Sequence, residues 1–107
     1  MDTLIAASPL PAFEPMHPGA VIREVLATCR MSVTKAAARI HVTLPTLNNV
    51  VRGTASISPD RALRLGRLCG NSPEMWLRPQ EHYDQWHRQR ALADELAPIE
   101  ALESEPA

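Results

Sequence analysis

Two adjacent asparagines, Asn48 and Asn49, stand inside the segment LPTLNNVVRG (residues 44–53), whose apolar spacing predicts a short helix. Asparagine is a poor helix former because its side-chain amide competes for backbone hydrogen bonds, so an adjacent pair needs a reason. Such an amide pairs bidentately with N6 and N7 of adenine, and each pair discriminates between bases by about 1–3 kcal/mol. The asparagine pair therefore indicates a helix that reads base edges in DNA. The alternative, that both amides only bind solvent or local backbone, stays open at this stage.

A rotation of about 100° per residue divides this helix into two faces. Leu47, Val50 and Val51 share the face expected in a core. The opposite face carries amides, a hydroxyl and a guanidinium, whereas a face that serves solubility alone would carry Glu and Lys. The side chains predicted to face DNA from this helix are Leu44, Pro45, Thr46, Asn48, Asn49 and Arg52, with the first two on thymine methyl groups. Phosphate contacts, which position the helix without reading sequence, are expected from Lys35, Arg39, Thr43 and Arg52.

A second helix is predicted just before the asparagine-bearing one. Ser32 is its expected N-cap, and Ala36 and Ala37 lie on its apolar face. Only two residues separate its end from Thr43, the predicted N-cap of the next helix, so the two helices must cross steeply. This arrangement is the helix-turn-helix unit, whose second helix enters the major groove. The turn usually contains glycine, but His41 stands there, and histidine enters the left-handed region more readily than most residues.

Three further segments show helical spacing and start signals. The first is HPGAVIREVLATCR (17–30), entered through proline and glycine, and the second is SPDRALRLGRLCG (58–70), with a Ser-Pro start and a glycine stop. The third repeats the Ser-Pro start at Ser72 but contains Pro79, which predicts a short helix to about Arg78, then a kink or break and a second segment. With no strand pattern, these signals predict an all-α fold built around a central helix-turn-helix.

Charge is distributed unevenly along a chain whose net charge is only −1. Residues 17–70 hold eight Lys or Arg against two acidic residues, and residues 71–107 hold three against eight. The asymmetry suggests two surfaces with different partners, although ordinary charge scatter is the alternative. We expect a flexible arm over residues 1–16, a folded domain over residues 17–96 and an acidic tail over residues 97–107.

Several functional classes find no support in the sequence. Cys29 and Cys69 fit neither metal-ligand spacing nor a disulfide framework, which predicts buried free thiols in a reducing cytoplasm. His82 and His87 are five residues apart and fall on different helix faces, so neither a metal site nor a cofactor is expected. There is no nucleophile motif and no phosphate-binding glycine loop, so no catalytic residue and no enzymatic activity are expected. No apolar run is long enough to span a membrane.

The run from His17 to Trp86 resembles the HigA-type antitoxins, small members of the Xre/Cro helix-turn-helix class. The matching segments are HPG, SVTKAAARI and TLNNVVRG, followed by the more specific ISPDRALRLGRLCG, SPEMWL and YDQW. The resemblance implies a lambda-repressor-like bundle of five helices around the helix-turn-helix. It also implies a homodimer that binds operator DNA, represses its own operon and neutralises a small basic HigB-type toxin, a RelE-like mRNA endonuclease. The domain over residues 17–96 is then expected both to bind DNA and to dimerise. One rival is a stand-alone Xre-type repressor without a toxin. Another is an interaction module without DNA binding, which Leu44 and Pro45 favour.

The segment after residue 70 gathers most of the aromatic residues. Met75, Trp76, Tyr83 and Trp86 are the candidate dimer anchors, because Trp and Tyr lead lists of interface hot spots. The favoured alternative is that they close the core of one chain against the first helix, since Trp is usually highly buried, and the two roles can be shared. The family often has a polar pair at positions 44 and 45, so its operator sequence does not carry over. The toxin-binding surface is unassigned, with the leader, the first helix and the acidic tail as candidates.

Overall fold

The computed structural model describes residues 13–103, and within that range every regular element is a helix. The helices are α1 (Pro18–Thr28), α2 (Val33–Arg39), α3 (Leu44–Val51), α4 (Pro59–Cys69), α5 (Glu74–Ala91) and α6 (Ala93–Leu96). The all-α bundle with a central helix-turn-helix is confirmed, and the four-residue α6 adds to the five predicted helices. Residues 1–12 of the predicted arm and residues 104–107 of the predicted tail lie outside the described residues.

Side chains cap the first four helices at their N-termini. Ser32, Thr43 and Ser58 each accept a hydrogen bond from the amide three residues later, at 3.1, 3.3 and 3.3 Å, which confirms the predicted starts of α2, α3 and α4. At α1 the cap is His17, whose Nδ1 accepts from a first-turn amide at 2.9 Å. Each cap satisfies an amide that has no partner within its helix. The predicted start of α5 at Ser72 is wrong, because that helix begins at Glu74 without a side-chain cap.

The core is aliphatic and lies between α1, α2, α3, α4 and the start of α5. Its buried side chains are Ile22, Leu26, Ala36, Ala37, Ile40, Leu47, Val50, Val51, Ile57, Ala62, Leu65 and Trp76. Gly19 lets α1 approach the end of α3, because a Cβ there would overlap the carbonyl oxygen of Val50 and lie 2.9 Å from that of Val51. The HPG segment therefore fixes the position of α3 against the bundle.

Polar contacts anchor α5 to the rest of the bundle. Gln80 is only 4% exposed, and its Oε1 accepts from the amide of Ile57 at 2.8 Å. Its Nε2 donates to Oδ1 of Asp84 at 3.0 Å, so both ends of the buried amide are satisfied. Nε1 of Trp76 donates to Oδ1 of Asn71 at 3.0 Å, which pins the start of α5 to the turn that precedes it.

The break predicted at Pro79 is wrong, because α5 runs as one helix of 18 residues through that proline. Proline removes one amide from the helix, and the carbonyl that would have accepted from it belongs to Met75, four residues earlier. Met75 is 61% exposed, so the missing hydrogen bond lies on the side of the helix away from the core. Trp76 and Gln80 are buried on either side of the proline, and their packing holds the helix together.

The prediction of two buried thiols is wrong for Cys29. Both cysteines are free, but Cys29 is exposed and Cys69 is partly buried. Cys29 follows the last helical residue of α1, so its side chain does not continue the apolar face of Ile22 and Leu26. Burial raises the pKa of the Cys69 thiol, and a charge on Cys29 would raise it further.

Candidate nucleic-acid interface

The two predicted faces of α3 are present in the structure. Leu47, Val50 and Val51 are 3%, 1% and 5% exposed and form the core face. On the other face Pro45 and Asn49 are exposed. The remaining predicted contacts of this helix are the exposed Leu44 and Arg52 and the half-buried Thr46 and Asn48. The helix therefore packs through one side only and presents the other to solvent.

The side-chain amides of Asn48 and Asn49 have no hydrogen-bond partner within the described part of the chain. The structure contains no hydrogen bond from the side chain of Asn48 or of Asn49 to residues 13–103. The carbonyl of Asn49 does accept from the amides of Thr54 and Ala55, at 2.9 and 3.2 Å, which fixes the loop after α3. The amides therefore do not bind local backbone within residues 13–103, whereas the other half of the alternative, contact with solvent alone, stays open. Both amides are available to an external partner.

The turn between α2 and α3 has the geometry that the helix-turn-helix unit requires. His41 has φ 62°, in the left-handed region, as its sequence position predicts. The amide of Val42 donates to the carbonyl of Ala37 at 3.0 Å, which closes the turn. Ala36 and Ala37 are 1% and 2% exposed at the crossing of the two helices. Their small side chains let the helices approach closely, so the orientation of α3 is set by α2.

The start of α3 is fixed by two threonines. The hydroxyls of Thr43 and Thr46 lie 2.7 Å apart, and Thr43 also accepts from the amide of Thr46. Both side chains belong to the predicted DNA surface. Since their hydroxyls already bind one another, they order the end of the helix that would approach a phosphate group.

The predicted phosphate-binding cations fall into two groups. Lys35 and Arg52 are exposed, and neither forms an ion pair within the part of the chain that the structure describes. Arg39 instead lines an open cleft of 610 Å³ together with Arg64 and Arg67, and no residue of α3 lines that cleft. Its contact with phosphate stays a prediction.

Sequence reasoning missed two residues that position the interface. Nη1 of Arg64 donates to the carbonyls of Ile40 and His41 at 2.8 and 3.4 Å, so α4 holds the end of α2 and the turn. His17, the cap of α1, also packs against Gly53 just after α3, where a Cβ would lie 3.6 Å from its ring. Both contacts join residues far apart in sequence, so no local spacing indicates them. The nearest sequence signal is the glycine at position 53, which adopts the left-handed backbone conformation (φ 82°).

The predicted dimer anchors occupy different environments in one chain. Trp76 is 3% exposed and belongs to the core, whereas Met75 is 61% exposed. Tyr83 lies between two imidazole rings, 4.8 Å from His17 and 4.4 Å from His87. The guanidinium of Arg90 lies 4.6 Å above the ring of Trp86, a cation–π contact. Since Trp76 is already buried, a dimer contact from this set stays a prediction for Met75, Tyr83 and Trp86.

Residues 13–103 contain no group of three or more His, Cys, Asp or Glu side chains arranged to hold a metal ion. None of the helices in this range is long and apolar enough to cross a membrane.

Comparison with known sequences agrees with this geometry. A family model described as Helix-turn-helix matches residues 22–76. Over 70 residues the chain is 37% identical to the virulence-associated protein I of Dichelobacter nodosus, and the alignment covers 64% of this chain and 65% of that protein. The chain thus spans slightly less than two thirds of the length of this relative.

Two solved structures superpose on the chain, each with a TM-score of 0.79. One is an addiction module antidote protein of a HigA family from Coxiella burnetii, with 27% identity and coverage of 84% of this chain and 100% of that one. The other is the Pseudomonas aeruginosa antitoxin HigA with the higBA promoter, with 34% identity and coverage of 83% and 99%. The chain therefore belongs to the helix-turn-helix family, and within that family to the HigA-type antitoxins.

Proposed function

We propose that this chain binds operator DNA as a homodimer, represses its own operon and neutralises a small basic HigB-type toxin, a RelE-like mRNA endonuclease. The observation that carries the DNA-binding part is the exposed face of α3, where the amides of Asn48 and Asn49 have no partner within residues 13–103. The Pseudomonas aeruginosa relative was solved with its promoter, which supports the same role here. Family membership supports the toxin-binding part.

In the proposed complex α3 lies in the major groove. Asn48 and Asn49 pair with adenine edges, and Leu44 and Pro45 pack on thymine methyl groups. An apolar pair at the start of the reading helix favours contact with methyl groups over hydrogen bonds to bases. Phosphate contacts from Lys35, Arg39, Thr43 and Arg52 hold the register of the helix. A homodimer would place two such helices in successive major grooves, about 34–36 Å apart, on a palindromic site.

The first prediction concerns Asn49 and a matched exposed amide. Asn49→Ala should weaken binding to the chain's own upstream DNA by about 5- to 150-fold, the equivalent of 1–3 kcal/mol for one lost bidentate pair. Gln85→Ala removes an exposed amide from α5 and should leave binding unchanged. Titration of a labelled duplex, with circular dichroism to verify folding, measures both. Equal affinity for the two variants would remove Asn49 from the reading face.

The toxin-binding part needs a separate experiment. The tagged chain is expressed from its native genomic segment with both flanking genes intact, and the copurifying proteins are identified. A stoichiometric small basic partner, toxic when expressed alone, is the expected result. A homodimer without a partner would leave the second candidate, a stand-alone repressor that reads DNA through the same α3 surface.

A further inference from the structure

An open, cationic cleft lies beside the turn between α2 and α3, and no residue of α3 lines it. Its lining residues are Arg39, Ile40, His41, Arg64, Arg67 and Leu68. Three of these side chains are guanidinium groups, two are aliphatic, and none is a carboxylate. We call this feature the arginine cleft. Its chemistry suits a ligand that combines carboxylate or phosphate groups with apolar ones.

The three arginines of the cleft differ in their contacts. Arg64 is held by the carbonyls of Ile40 and His41 at the end of α2, a position that favours a cation. Arg39 and Arg67 make no hydrogen bond and no ion pair within residues 13–103. The cleft thus has one fixed guanidinium group flanked by two whose charge nothing in the described chain compensates.

The complementary feature on this chain is its acidic tail, residues 97–107. Beyond Arg90 the sequence contains five acidic residues and neither Lys nor Arg. Glu100 and Glu103 each follow an exposed aliphatic residue, Ile99 (70% exposed) and Leu102 (96% exposed). Neither carboxylate forms a hydrogen bond or an ion pair within the described residues. The tail therefore offers carboxylate and aliphatic groups, which complement the guanidinium and aliphatic groups that line the arginine cleft.

We propose that the acidic tail of one copy of this chain docks into the arginine cleft of a second copy. Glu100 and Glu103 bind the guanidinium groups, and Ile99 and Leu102 pack on the partly buried side chain of Leu68. Within one chain no hydrogen bond or ion pair joins the described tail residues to the cleft. The 18-residue α5 spans about 27 Å and separates the two features along the chain. Reciprocal contacts of this kind close under the two-fold symmetry of a dimer.

A peptide of residues 97–107 tests whether the cleft binds the tail. The labelled peptide is titrated onto the full chain carrying Glu100→Gln and Glu103→Gln, so that its own tail does not compete. Fluorescence anisotropy should show saturable binding that weakens with salt. Adding Arg39→Gln and Arg67→Gln should weaken binding on the order of tenfold, since two exposed ion pairs are lost. Adding Arg23→Gln and Arg78→Gln, the same change in charge outside the cleft, should leave it unchanged.

The peptide itself supplies a second control. Peptides with Ile99→Ala and Leu102→Ala should bind more weakly than the native peptide, because the aliphatic contacts are lost while the charge is kept. Circular dichroism verifies that every protein variant is folded. Equal affinity for the cleft variant and its charge-matched control, or no saturable binding at all, would overturn the proposal. These measurements contain no DNA and no toxin, so their failure would leave the proposed function standing.

A mixing experiment tests whether the second copy supplies the tail. One full chain carries Glu100→Gln and Glu103→Gln, and the other carries Arg39→Gln and Arg67→Gln. In the mixture one intact tail meets one intact cleft, so sedimentation equilibrium should show tighter association than either variant has alone, on the order of tenfold, since the same two ion pairs are restored. If the mixture associates no more tightly than its components, docking between copies is wrong.

Discussion

Gly19 shows how a single small residue positions the reading helix. A Cβ at this position would meet backbone carbonyl oxygens of Val50 and Val51, which, unlike the end of a flexible side chain, cannot move aside. α1 would have to shift away from the end of α3. The glycine is therefore a packing requirement, and it links the N-terminus of the bundle directly to the candidate site.

We predict that Gly19→Ala lowers the free energy of unfolding by about 1–3 kcal/mol, the usual cost of overpacking a close contact. Gly70→Ala is the matched control, because a Cβ at Gly70 would meet nothing within 4 Å, and only its left-handed φ of 72° opposes alanine. That strain costs about 1–2 kcal/mol and leaves α3 in place. Urea denaturation measures both losses, and operator titration separates them, since only Gly19→Ala should also weaken DNA binding. Equal binding by both variants would contradict a positioning role for Gly19.

At the scale of elements, α5 shows that packing can outweigh a helix-breaking residue. Pro79 lies in the sixth position of this helix, and its buried neighbours Trp76 and Gln80 hold both sides of the proline against the bundle. The helix loses one hydrogen bond there, at the carbonyl of the exposed Met75. A proline at such a place lowers the stability of the helix without dividing it.

Pro79→Ala is therefore expected to stabilise the chain, by up to about 3 kcal/mol, because it restores the amide and removes the ring. Thermal denaturation followed by circular dichroism should show a higher Tm with unchanged helix content. A large gain in helix content would instead mean that α5 is broken at Pro79 in solution. Pro73→Ala lies just before the first residue of α5, where no amide is needed, and should change Tm little.

The N-terminus of α1 carries a titratable cap. Burial lowers the pKa of His17 below its ordinary value of 6.5, and the Asp84 charge and the Ala55 backbone oppose that shift only in part. The unfolded chain therefore binds the proton more readily than the folded one. The stabilising effect of neutral His17 is complete above pH 6.5 and is lost as the pH falls toward the lowered pKa of the folded state.

His17→Asn keeps an acceptor at the cap and removes the titration. We predict that the wild-type chain loses more stability than this variant between about pH 7.5 and pH 5, because only its cap becomes protonated on unfolding. Urea denaturation at both pH values gives the two losses. Their difference is the relevant quantity, since the variant also lacks the edge contact with Tyr83. Equal losses of stability in the two proteins would show that His17 does not cause the pH dependence.

The predictable parts of this fold are those encoded by neighbouring residues. Caps at Ser32 and Thr43, the left-handed turn at His41 and the two faces of α3 all follow from spacing over a few positions. The continuity of α5 and the roles of His17 and Arg64 do not, because they depend on contacts between distant elements. The predicted contacts with bases and phosphate remain predictions, since only a complex with DNA tests them.

At the scale of the whole molecule, charge separates the first four helices from the part of the chain that follows them. Residues 17–70, which contain the helix-turn-helix, hold the excess of Lys and Arg, and the acidic excess follows residue 70. A net charge of −1 therefore conceals a surface suited to DNA. The dependence of DNA affinity on salt measures this surface directly, because each neutralised phosphate releases counterions.

We predict a steep linear fall of log K with log salt for the wild-type chain on its operator. Arg52→Gln should lower that slope by about 0.9, the value for one phosphate contact. Arg88→Gln has the same change in net charge but lies on α5, away from α3, and should keep the wild-type slope. A slope that both variants reduce equally would show that net charge, and no contact at Arg52, controls the affinity.

The one-sided packing of α3 has a consequence for how such proteins diverge. The side chains that hold this helix in the bundle and those that face outward are different residues, so the outward set is free to vary without loss of the fold. Duplicated copies of the gene in one genome could then acquire separate operators through a few substitutions at positions 44, 45, 48 and 49. Each copy would regulate its own operon and ignore its sister's, and the shared core would remain unchanged.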